Sequence, residues 1–293
     1  MALVLKSTVA STASGLRKLR RDMGLLDGGT SPGPDLGGVK FAFDLAFSYS
    51  WPTLAAPSSS QTVLDTAEVG NGSMNIAASQ TVTYAGGGFD FTAMTLDPCE
   101  VVGPSGCLSS IYSGLQYFLV SGWYKFPISG DWNTNAALMA MFTATSVANG
   151  YTAEADLLTI AQNNTPYLTF RRQTNGGSTT DQINLSPALH YGNVAQVAFW
   201  RNAAGQGARI KSPGGTTNGT LAVGSANTGN FSAKQPRWGI CGSFSDLTLA
   251  PHLNASNMRL YRGHVEDLQI SGRDPVTVLD ANYAAVTARA AFS

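Results

Sequence analysis

Apolar and polar residues alternate along most of this 293-residue chain from Val39 onward, in short runs separated by Gly, Asn, Ser and Pro. A period of two marks a strand with one buried face. VKFAFDLAFSY, beginning at Val39, alternates in part and is rich in aromatics. QTVTYAGGGFDFTAM holds two short β runs around a turn at Gly86 to Gly88. In YFLVSGWYKF, Phe118, Val120, Gly122 and Tyr124 fall on one face, and Leu119, Ser121, Trp123 and Lys125 on the other. ALMAMFTAT and ADLLTIAQNNTPYLTFRRQT follow, the latter with a hairpin signal at Asn163 and Asn164. NVAQVAFWR, GARIKS, TLAVGS and RWGICGSF continue the series, which ends in MRLYRGHVEDLQIS from Met258 to Ser271.

Two segments show helical spacing instead. GLRKLRRDMGLL sets Leu16, Leu19 and Met23 on one stripe, with Arg17, Lys18, Arg20 and Arg21 around it, and the Gly/Pro-rich DGGTSPGPDLGG after it reads as a linker. DPVTVLDANYAAVTARA predicts a short helix with Pro275 near its first turn and Val278, Tyr283 and Val286 facing inward. Strands do not alternate with long helices, which excludes a doubly wound fold, and no period of 20 to 50 residues repeats, which excludes a solenoid. The expectation is an all-β, two-sheet antiparallel sandwich. Residues 1–40 form an N-terminal docking arm and linker, and residues 41–293 form the sandwich with its short C-terminal helix.

Charge narrows the partners. Charged residues make up 12% of the chain, against roughly 25% in an average soluble protein. The 18 basic and 18 acidic residues cancel. That balance argues against broad electrostatic capture of nucleic acid, which needs clustered Lys and Arg, and it suits packing against other subunits. No run of 18 apolar residues exists, so no membrane span is expected. Near the start, the apolar run Ala2 to Leu5 is short and basic residues follow it, so this stretch reads as an arm and not as a cleaved signal. Cys99 and Cys107 flank GPSG turn residues, which leaves open either a disulfide or two buried thiols, and Cys241 reads as a core residue. His190, His252 and His264 are scattered without ligand spacing, so no metal is assigned.

Three stretches resemble the laminin-G and concanavalin A-like jelly roll: LVSGWYKF, VAQVAFWR, and Tyr261 to Ile270 with Gly263 ahead of the acidic pair Glu266 and Asp267. DPVTVL resembles that family's short helical coda. The resemblance spans about Phe91 to Tyr283 and implies two curved antiparallel sheets. Its members include carbohydrate-binding modules, lectins, glycan hydrolases, adhesion domains and modules of bacteriophage heads and tails, so fold alone does not choose a function. The low charge and the arm resemble the phage version most. That resemblance implies a non-enzymatic virion structural protein, a capsid decoration or a tail or fibre component. It would dock to other virion proteins and form a dimer or trimer. The alternative is an adhesin for a host surface glycan.

The chemistry in the chain agrees with a non-enzymatic reading. Sandwich hydrolases of this type carry Glu-x-Asp-x-x-Glu on one strand, and here Glu154 and Asp156 are followed by Thr159 in the third position. G-x-S-x-G, Walker and dinucleotide patterns are absent. No catalytic residue and no cofactor is therefore assigned. Asp131, Asn133 and Asn135 in GDWNTN have the i, i+2, i+4 spacing of a cation loop, but no Glu stands at the twelfth position of such a loop, and a solvated turn fits better. The same loop offers the best sugar contact. Trp132 supplies a flat apolar face, and Asp131, Asn133 and Asn135 supply polar atoms beside it. Trp200 is the alternative platform, with Tyr151 and Tyr167 behind it, whereas Trp123 and Trp238 read as core.

Overall fold

The computed structural model describes residues 38–67, 69–78, 80–94, 98–128, 140–145, 158–162, 167–174, 180–227, 234–241 and 258–293. These residues form two eight-stranded sheets packed face to face. The first sheet runs in the order β14 (Gly215–Leu221), β13 (Gly205–Ser212), β12 (Val194–Asn202), β7 (Phe118–Lys125), β16 (Arg259–Asp267), β5 (Gly88–Asp90) and β4 (Thr83–Ala85). Along its free edge β16 pairs first with β5 and then with β1 (Val39–Asp44). The second sheet runs β11 (Thr180–Leu185), β10 (Leu168–Gln173), β9 (Leu158–Gln162), β8 (Ala140–Thr145), β15 (Gln235–Cys241), β6 (Cys99–Val102), β3 (Gly72–Ile76) and β2 (Thr62–Val63). Every pairing is antiparallel, as far apart in sequence as β1 with β16. The architecture is an all-β, two-sheet antiparallel sandwich, as the alternation predicts, and of the jelly-roll type that the resemblance implies.

The core explains the residue choice in β7. Phe118, Val120 and Tyr124 all point between the sheets. Trp238, from the second sheet, meets Phe43 at 5.4 Å and Phe142 at 5.2 Å between ring centroids. Its Nε1 donates to Ser121 O at 3.0 Å, and the Tyr124 hydroxyl donates to Met141 O at 2.8 Å, so each sheet bonds the other through a buried aromatic. Gly122 and Gly263 stand opposite each other in register. A Cβ on Gly263 would lie 2.7 Å from Phe43 Cζ and 2.8 Å from Trp238 Cε2. The indole and the Phe43 ring occupy the space Gly263 leaves free, and the Tyr124 ring occupies the space over Gly122.

The outer face of the first sheet is buried as well. α2 (Leu268–Ser271) and α3 (Pro275–Arg289) lie across it, and Leu119, Ala198 and Trp200 pack with Leu268 and Leu279. Further along, Trp123 and Tyr261 pack with Val286. The strand that the sequence extends to Ser271 therefore stops at Asp267. The Asp267 side chain accepts from Gln269 N and Ile270 N and caps α2, and Gly272 at φ 64° ends it. α3 starts in the expected place, with Asp274 capping Thr277 N and Pro275 in the first turn. It spans 15 residues, Pro275–Arg289, within the segment DPVTVLDANYAAVTARA expected to be helical. Its buried set is Pro275, Leu279, Asn282 and Val286, with Val278 and Tyr283 half-buried beside them.

Other differences are local. α1 (Ser109–Ser113) has no counterpart in the strand pattern. TLAVGS contributes only its first two residues to a strand, because β14 begins earlier, at Gly215. Cys99, Cys107 and Cys241 are all free thiols; Cys99 and Cys241 are buried, whereas Cys107, expected to be buried in the two-thiol alternative, is half-buried. Burial pushes the Cys107 thiol up to about 12, which leaves it protonated and unreactive at neutral pH.

Candidate functional site

Most of the residues singled out from sequence lie outside the described residues. These are the arm set Leu16, Arg17, Lys18, Leu19, Arg20, Arg21 and Met23, the loop set Asp131, Trp132, Asn133 and Asn135, and also Tyr151, Glu154 and Asp156. Trp200 is described. It lies on β12 at 8% exposure, packed with Leu119, Leu268 and Leu279. A Cβ on neighbouring Gly207 would sit 2.8 Å from Trp200 Cη2, so the ring lies flat over that glycine. The α2–α3 segment leaves little of its face for a ligand. Tyr167 is 41% exposed, ahead of β10.

A cavity of about 480 Å³ opens elsewhere, between the outer face of the first sheet and the end of the chain. Trp123, Val194, Val286 and Phe292 give it apolar walls, and Lys125, Asn193 and Thr287 give it polar groups. Strand alternation places Trp123 and Lys125 here together, two residues apart on the same face of β7. Trp123 is held from three sides. Its Nε1 donates to Asn282 Oδ1 at 2.9 Å, its ring stacks on Tyr283 at 5.3 Å, and Phe292 meets it edge-on at 5.9 Å.

The far wall depends on the last residues. Ala290 adopts a left-handed conformation, φ 48°, at the end of α3 and turns the chain back toward the sheet. Phe292 then stacks on Tyr261 at 4.6 Å. Ser293 O accepts from the Tyr261 hydroxyl at 2.6 Å and from Arg259 Nη1 at 2.5 Å, and Ser293 N donates to Gly86 O at 3.1 Å. Burial pushes the Tyr261 phenol up to about 12, which keeps it a donor. The Lys125 ammonium holds no ion pair or hydrogen bond with any described residue, and the side chain is half-buried at the cavity edge.

Buried charges flank this region but serve the fold. Asp44, 1% exposed, sits between Arg262 at 3.1 Å and Arg289 at 2.5 Å. Glu266, fully buried, accepts from Arg273 at 2.8 and 2.5 Å and faces His264 at 3.3 Å. Burial alone would raise the Glu266 carboxyl, but His264 and Arg273 outweigh it and hold the group down to about 2. Burial likewise lowers His264, against the pull of Glu266. Asp280, itself exposed, binds the buried Arg209 at 2.8 Å and Lys211 at 2.7 Å, tying α3 to β13. These carboxylates are each taken up by cations, and none lines the cavity. Among the described residues no group of three His, Cys, Asp or Glu could hold a metal ion, and no helix is long and apolar enough to cross a membrane.

The class this geometry defines is a lectin-like jelly-roll sandwich with a pocket on one outer face. No family model matches the chain, and no curated protein matches it in sequence. Solved structures show a distant likeness. One is a botulinum neurotoxin type C, whose cell entry depends upon interaction with two ganglioside molecules; identity is 14%, over 78% of this chain and 51% of that one, with a TM-score of 0.46. Another is the CBM40 of the Ruminococcus gnavus IT-sialidase bound to α2,3-sialyllactose, at 12% identity over 55% and 80% of the two chains, TM-score 0.38. A third is full-length tailspike protein 2 from an Escherichia coli O157:H7 bacteriophage, at 11% identity over 56% and 21%, TM-score 0.36. This chain spans about half the length of the neurotoxin chain it matches. With TM-scores below 0.5 in all three, the fold assignment stands on strand order and pairing instead.

Proposed function

We propose that this protein is a non-catalytic glycan-binding sandwich and that the cavity beside Trp123 is its binding site. The observation that carries this reading is a cavity of about 480 Å³ with aromatic and aliphatic walls and, at its edge, the Lys125 ammonium, which has no partner among the described residues. Ligand pockets are commonly about 300–1,000 Å³, apolar, with a few placed polar groups. A sugar ring matches that pattern, because its C–H face is apolar and its rim is rich in hydroxyls. Phe292 and Val194 suit the C–H face, Asn193 and Thr287 suit the hydroxyls, and Lys125 suits an acidic substituent. A glycan array on the wild-type chain and on Lys125→Ala, Asn193→Ala and Phe292→Ala tests it. Wild-type binding that falls in all three variants supports the site. No binding by the wild type, or equal binding by every variant, removes it.

The GDWNTN loop remains the second proposed contact, through Asp131, Trp132, Asn133 and Asn135, and Trp132→Ala on the same array separates the two. The finer reading, a virion component that docks through residues 1–40 to other virion proteins, is supported by the 12% charge and by the composition of the arm. Deleting residues 1–38 should then abolish incorporation into particles, and normal incorporation would refute it.

A further inference from the structure

Independently of the sugar pocket, we propose that the β14 edge is a self-pairing surface, on which a second copy of this chain docks antiparallel about a two-fold axis at Asn218. β14 ends the first sheet and pairs only with β13 among the described strands. Every second residue of an edge strand turns its N–H and C=O away from the sheet, and proteins blunt such edges with charges, prolines or bulges. β14 has none of these. Its sequence, GTTNGTL, carries no charge and no proline, and its seven-residue register with β13 runs without a shift. Thr216, Asn218 and Thr220 are exposed.

The strand is complementary to itself. An axis at Asn218 sets Thr216 against Thr220 of the second copy, and Asn218 against its own equivalent. Cross-strand threonine pairs are favourable. The same axis sets Gly215 against Leu221 of the second copy. Directly opposed residues of antiparallel strands project to the same side of the sheet. On that side a Cβ on Gly215 would point at Leu189 Cδ1, 3.5 Å away. Leu189 and Leu221 are 57% and 40% exposed in the single chain. They flank opposite ends of β14, so one axis brings each against the other's equivalent and covers both. Gly215, lacking a side chain, leaves room for the incoming leucine. The Leu189 turn is fixed in place by its neighbour His190, whose ring nitrogens bond Ser212 Oγ at 2.8 Å and Thr217 Oγ1 at 3.0 Å.

Sedimentation equilibrium on the full chain, with Asn218→Lys and Asn218→Glu, tests the proposal. The Asn218 side chain is exposed, so neither change disturbs the core, and circular dichroism checks that both fold. The wild type is expected to rise with concentration from 30.7 kDa toward twice that mass. Each variant places like charges opposite each other at the axis, and should associate at least about fivefold more weakly. Mixing the two variants should restore a heterodimer. A wild type that stays at single-chain mass overturns the proposal, as does association untouched by either variant or a mixture that fails to pair. Backbone amides of β14 already protected from hydrogen exchange in a monomer would assign the edge to another segment of this chain, and would equally overturn it.

Discussion

Replacing Glu266 by Gln removes the most deeply buried charge in the described structure while keeping its shape. The carboxylate is fully buried and receives two hydrogen bonds from Arg273, with His264 as a third neighbour. Its folded pKa is about 2, against 4.5 for the free side chain. At about 1.4 kcal/mol per pH unit, that depression corresponds to a contribution of about 3 kcal/mol at neutral pH. The figure is close to the loss of about 3–5 kcal/mol that follows when one partner of a buried pair is removed. The sign is fixed by linkage. A depressed carboxylate stabilises fully above 4.5, and this stabilisation fades as pH falls toward 2. Midway, at about pH 3, the unfolded chain is largely protonated and the native one is still ionised, so about 1.4 kcal/mol remains. Urea unfolding of the wild type and Glu266→Gln at pH 7 and pH 3 should therefore give a difference of about 3 kcal/mol that more than halves at the lower pH. An equal difference at both values would show that the loss is steric and that the ionised carboxylate contributes little.

Two further perturbations probe the packing. Gly263→Ala drives a methyl group toward Phe43 and Trp238, which lie under 3 Å from the new Cβ position. It should cost about 1–3 kcal/mol as an overpacked core, and an unchanged melting temperature would contradict the close approach. Trp123→Phe keeps an aromatic against Tyr283 but loses the bond to Asn282. It should cost about 1 kcal/mol in thermal unfolding and leave a partner amide half-satisfied, an effect that Asn282→Ala on the same background should not deepen by as much again.

The strands were legible because a half-buried sheet imposes a period of two, and β7 shows how far that goes. The face holding Phe118, Val120 and Tyr124 is the one that meets the second sheet. The opposite face carries Leu119 and Trp123, and nothing nearby in sequence says what covers it. The cover is α2 and α3, some 150 residues later. Trp123 is thus buried as expected, yet outside the sandwich, where it belongs to the candidate site. Lys125 followed it on the same face, and that pairing was visible, but a lone lysine at the end of a strand carries no signal until Phe292 and Asn193 are seen to face it.

The chain by itself determined the class of fold, the position of most strands, and the start of α3, because alternation, turn glycines and an Asp-Pro cap act over a few residues. It also determined the scarcity of charge, 12% of the chain. Tertiary structure alone decided which glycines face each other, as Gly122 beside Tyr124 and Gly263 beside Trp238 do. It decided that Glu266 is tied to Arg273 and Asp44 to Arg289, and that a cavity lies between β7 and the last residues. Each of these joins segments distant in sequence. Register between such segments is set by the fit of the whole core, and no local pattern records it.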